Sequence, residues 1–163
     1  MKKIVSLLLA ASLCVFALVG CGGGSETAAY NLNDIVAAVE KANPVSNPRD
    51  VDDNFIQLDM LLTADNIEEY AGKVSNDQGN SALIVAIKAV EGKASAVEEE
   101  LNAYKTSIST GGLYAEFADM EAMAADARIV VKGDYLVMVV ANTEGADYAQ
   151  IDTALDEIGR AHV

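Results

Sequence analysis

Apolar residues recur at helical spacing in four stretches of this chain and run on or alternate in three others. Leu32, Ile35, Val36 and Val39 form one helical stripe, with Asn31 placed to cap it and Asn43-Pro44 placed to stop it. Val97, Leu101, Tyr104 and Ile108 form a second, opened by the Ser95-Ala96-Val97-Glu98 capping box and closed by Gly111-Gly112. Leu113, Phe117, Met120 and Ala124 predict a third helix, and Tyr148, Ile151, Leu155 and Ile158 a fourth. The unbroken run Leu83–Ile87 predicts a buried strand. Ile129–Val131 and Tyr135–Val140 predict a hairpin joined at Gly133-Asp134, where glycine accepts the positive φ of a I′ or II′ turn.

Between residues 40 and 80 the pattern is weaker. Residues 44–54 carry both prolines and an acidic cluster, which predicts a loop. Phe55–Leu62 is apolar and fits helix or strand, and Thr63 stands where it would cap a short turn through Ile67 and Tyr70. Together these elements predict an α+β domain, helices packed on a mainly antiparallel sheet of about four strands. Two hairpin-then-helix halves are suggested at an offset of 54 residues. Gly79-Asn80 then matches Gly133-Asp134, Leu83 and Val85 match Val137 and Val139, and Val97 and Leu101 match Ile151 and Leu155.

The first twenty residues differ in character from the rest. Lys2 and Lys3 precede an uncharged apolar run, Ile4–Val19, too short to span a membrane and built like an export signal. The run ends at Leu18-Val19-Gly20-Cys21, a bacterial lipobox, followed by three glycines. Residues 1–20 are therefore expected to be a lipoprotein signal, with Cys21 accepting the lipid and residues 21–30 serving as a tether of roughly 15 Å reach. Residues 31–163 would be one domain, held on the outer face of a cell membrane. Cys14 leaves with the signal, so the exported domain is expected to hold together without a disulfide. Loss of the two signal lysines takes the formal charge from −14 to −16. Such a surface repels nucleic acid and anionic headgroups and favours, if any charged partner, a cationic envelope protein or peptide.

Lys132-Gly133-Asp134-Tyr135, leading into the apolar strand Leu136–Val140, resembles the most recognisable motif of a family of small Gram-positive lipoproteins. Those lipoproteins are built on a domain of unknown function, family four-three-five-eight of such domains. The strand Ala82–Lys88 with its following helix and the segment Ile67-Glu68-Glu69-Tyr70 are in keeping with that resemblance, which spans roughly residues 32–160. It implies location and architecture. The family has no established activity, so it implies no catalytic residue.

Reactive chemistry is thin. His162, the only histidine, is one residue from the C-terminus, and Cys21 is committed to lipid, so neither a Ser-His-Asp or Cys-His site nor a zinc site is expected. Asp50-Val51-Asp52-Asp53-Asn54 opens like a calcium loop, but Phe55 stands where glycine is needed and Leu61 where a glutamate is needed. A looser hard-cation site on Asp50, Asp52 and Asp53 is the metal alternative, against a solvated loop with Asp50 or Asp53 capping what starts at Phe55. Glu98-Glu99-Glu100 is expected to complement a helix dipole in its first turns. The six tyrosines are expected to pack in or at the rim of the core. No cofactor is expected. The chain thus reads as a non-enzymatic binding module of the cell envelope, with a carboxylate-based hydrolase of envelope polymers as the alternative.

Overall fold

The computed structural model describes residues 30–111, 115–145 and 147–160. The lipobox with Cys21, the tether up to Ala29, Leu113, Tyr114 and His162 lie outside the described residues. Four helices and five strands follow in the order α1 (Leu32–Glu40), β1 (Pro48–Asp50), β2 (Ile67–Ser75), β3 (Leu83–Ala89), α2 (Ala94–Ser109), α3 (Ala118–Ala125), β4 (Arg128–Lys132), β5 (Tyr135–Val140) and α4 (Tyr148–Arg160). A π-helical turn, Phe55–Asp59, and a 3₁₀ turn, Ala64–Asn66, link β1 to β2. The fold is α+β, and all pairings in its single sheet, ordered β1-β2-β3-β5-β4, are antiparallel.

The sheet is the middle of three layers, because β3 and β5 are apolar on both faces and both faces are covered. Ile84, Ala86, Val137 and Val139 meet α1 and α4 through Val36, Val39, Ile151 and Leu155. Leu83, Val85, Ile87, Leu136 and Met138 turn the other way onto Val97 and Leu101 of α2, Ala124 of α3 and the segment Phe55–Leu62. A helix follows each hairpin, β2-β3 then α2 and β4-β5 then α4, and the two helices lie on opposite faces. Asn31 caps α1 as expected, its side chain accepting from the Asn33 and Asp34 amides at 3.0 and 3.2 Å. Gly133 turns the β4-β5 hairpin at φ 59° while Asp134 stays out of the left-handed region, which selects type II′.

Several expectations are corrected. The antiparallel sheet of about four strands is present with a fifth, because the loop 44–54 contains β1, and Ile67 and Tyr70 lie on the nine-residue β2, not on a capped turn. Thr63 makes no side-chain cap. The Ser95 capping box is not formed either; α2 begins at Ala94 behind Lys93, because Gly92 at φ 76° turns the chain one step earlier. Phe117 precedes α3 in a 3₁₀ turn and is exposed instead of facing inward.

A buried asparagine network joins the ends of three elements. Asn43 donates to the Val140 carbonyl at 2.9 Å and accepts from the Asn142 amide at 2.8 Å. Asn142 in turn accepts from Asn80 at 2.8 Å and donates to the Pro44 carbonyl at 2.8 Å. All three side chains are buried and bonded, the condition under which buried amides add to a fold.

Candidate interaction face

The segment from Asp52 to Ile67 is anchored from beneath. Phe55, Ile56, Met60 and Leu62 are all buried in the layer under the sheet. The Asp52 carboxylate caps the segment, accepting from the Phe55 amide at 2.9 Å. Five residues on, the Met60 amide donates to the Phe55 carbonyl at 2.8 Å, the bond that makes the turn π-helical. Beyond it, Glu100 of α2 accepts from the Thr63 amide at 3.0 Å and from Asn66 Nδ2 at 3.3 Å. Glu100 is therefore a clamp on this segment. No acid falls in the first turn of α2, which corrects the dipole role expected for Glu98–Glu100.

What the anchored segment presents to solvent is apolar. Leu58 is 70% exposed and Leu61 74%, the two most exposed large hydrophobic residues among those described. Leu61 also sits at φ 57°, in the left-handed region that a leucine adopts only at a cost. Neither burial nor a hydrogen bond of its side chain offsets that cost. Strain held in place by surrounding packing, at a residue that contributes nothing to the core, is a mark of a functional surface.

Between this segment and β2 lies a groove of about 370 Å³, lined by Ile56, Gln57, Ile67 and the acidic Asp53, Glu68 and Glu69; Gln57 in its wall is the chain neighbour of Leu58. Tyr70 also lines it, donating to Asp53 at 2.5 Å. That hydrogen bond, more than burial or the charges of Asp53 and Asp52, pushes the Tyr70 phenol up to about 12. Glu68 is paired with Lys88 at 2.6 Å.

The three aspartates weighed as a cation site do not converge. Asp50 is exposed on β1 opposite Lys73 of β2, Asp52 caps the π turn, and Asp53 receives the Tyr70 hydroxyl. Asp50 lines a hollow with Asn33 and Glu40 of α1, whereas Asp53 lines the groove with Glu68 and Glu69, and Asp52 is taken up by the Phe55 amide. Among the described residues no group of three histidine, cysteine or acidic side chains is gathered to hold a metal ion. Asp52, and neither Asp50 nor Asp53, is the cap. Of the tyrosines, Tyr30 and Tyr135 are buried edge to face with ring centroids 4.8 Å apart, and Tyr70, Tyr104 and Tyr148 are half-buried. Leu58 and Leu61 as a presented pair were not singled out by sequence reasoning. Both lie in the apolar run Phe55–Leu62, which fits helix or strand and carries no signal of which leucines stay exposed.

Residues 34–141 match the model of a family described as a domain of unknown function, DUF4358. The chain belongs to this family. The match takes in the sheet, the segment with Leu58 and Leu61, and the groove. No curated protein and no solved structure matches the chain. Among the described residues no helix is long and apolar enough to cross a membrane.

Proposed function

We propose that this DUF4358 protein is a lipid-anchored, extracytoplasmic interaction module without catalytic activity, and that Leu58 and Leu61 form its working face. The observation that carries this is the pairing of strain with exposure: a leucine held at positive φ, with its neighbour three residues earlier, presented to solvent by a segment clamped to the core. Apolar side chains at the centre of a surface, rimmed by charge, are what protein interfaces use. The lipobox ending at Cys21 supports the anchor, and the acidic surface supports a domain that stays clear of the headgroups.

The test has two arms in one experiment. Full-length Cys21→Ala protein is expected to leave the membrane pellet, and its correct cleavage with full membrane retention would contradict the anchor. Residues 25–163, used as bait on detergent-solubilised envelope proteins, are expected to hold a partner that the Leu58→Ser/Leu61→Ser double variant loses. Equal capture by both baits would remove this face from the function.

A further inference from the structure

We infer that the occupant of this face is a cationic amphipathic segment of another envelope protein. Its apolar side chains meet Leu58 and Leu61, and its lysine or arginine heads meet the carboxylates along the groove. This rests on the reading of the face given above and adds the chemistry of the partner.

Charge is what selects that chemistry. Residues 52–69 carry six carboxylates, Asp52, Asp53, Asp59, Asp65, Glu68 and Glu69, and no basic residue. Among the described residues two ion pairs reach them from outside: Lys88 bridges Glu68 at 2.6 Å, and Arg49 stands 4.0 Å from Asp59. Glu69 and Asp65 make no ion pair among the described residues. A partner that covered the leucines with an apolar or acidic surface would strip water from these carboxylates without replacing it, which is costly. A basic side chain in the groove replaces that water with opposite charge, and the groove is large enough to take one.

The fold also argues against a lipid surface as the occupant. Chain leading from the tether enters the domain at Tyr30, which packs with α1 and α4 on one face of the sheet. Phe55, Ile56, Met60 and Leu62, which carry the leucines between them, pack on the other face. The leucines thus sit across the sheet from the point where the chain enters, on a segment whose acids anionic headgroups repel.

The test uses the full lipid-bearing chain in nanodiscs of uncharged phosphatidylcholine. It is titrated with three designed helical peptides: lysine–leucine, glutamate–leucine, and lysine–serine. The lysine–leucine peptide is expected to bind most tightly, to weaken as salt rises, and to weaken about tenfold with either Leu58→Ser/Leu61→Ser or Glu69→Lys. All three side chains are exposed, so both variants are expected to keep the wild-type circular dichroism spectrum. If the glutamate–leucine peptide binds as well, the cationic partner is overturned while the apolar face stands. If lysine–serine binds as well as lysine–leucine, attraction is diffuse and the proposal fails. Binding that Glu69→Lys weakens but the leucine variant does not would overturn the face itself. A Cys21→Ala chain that adheres to phosphatidylglycerol vesicles through the two leucines would replace the protein partner with a lipid surface.

Discussion

Leu61 is the residue at which fold and the proposed function pull apart. A left-handed leucine costs about 1 kcal/mol or more, and asparagine tolerates the same φ far better. Leu61→Asn is therefore expected to raise stability by about 1 kcal/mol while weakening partner capture, read as a higher urea midpoint beside a lower yield. A lower midpoint would mean that the leucine supports the fold after all. Two phenols give a second handle. Burial, above the charge of Asp59, pushes Tyr104 up to about 12, and the bond to Asp53 does the same for Tyr70. A folded-state pKa raised above the ordinary 10 means that stability tied to the neutral phenol is whole below pH 10. It is lost as pH rises from 10 towards 12. Urea midpoints of Tyr104→Phe should fall less than those of wild type across that window, and parallel curves would show that the phenol does not titrate there. At this scale Asn31 was legible as a cap because its signal is local. Leu61 was not, because φ is imposed by how Met60 and Leu62 are buried on either side of it.

Elements with strong periodicity were legible, and those whose form depends on neighbours were not. β3 and β5 are buried on both faces, so their apolar runs were plain in the sequence. β2 reads Ile-Glu-Glu-Tyr-Ala-Gly-Lys-Val-Ser, with a bulge near Ile67 and mostly half-buried positions, so no clean alternation marks it. It exists because β3 offers it a partner edge and because Gly72 lets other chain come close. A Cβ at Gly72 would lie 2.6 Å from the Ile84 carbonyl oxygen and 2.9 Å from Val51 Cγ2. Gly72→Ala is accordingly expected to cost about 1–3 kcal/mol, since two backbones must part, and a calorimetric melting point equal to wild type would contradict that packing. The groove shares a wall with β2 and was hidden from the sequence for the same reason. The acids that line it were visible; that Asp53 shares one groove with Glu68 and Glu69 needed the packing of β2 beside the preceding segment.

As a whole molecule, on the function proposed above, the protein separates attachment from presentation. Helices α1 and α4, with Tyr30, cover the face where the chain enters, and the clamped segment with Leu58 and Leu61 projects from the other. Arg128 ties the entry face together, its guanidinium bonded to Asp152 of α4 at 2.7 and 3.2 Å and stacked 4.4 Å from the centre of the Tyr148 ring. The α+β class and the family were within reach of patterning and one motif, because both follow from the strong elements β3, β5 and the Gly133 hairpin. The polarity of the molecule was not, since it depends on which side of the sheet each weak element packs. Photo-crosslinking in intact cells tests that polarity most directly. The full, anchored chain would carry a photoreactive residue in place of Leu61, or, as a control, in place of the exposed Ala37 on α1. A discrete protein adduct from position 61 and none from position 37 is the expected result. The same adduct from both positions, or from position 37 alone, would contradict the assignment of the working face.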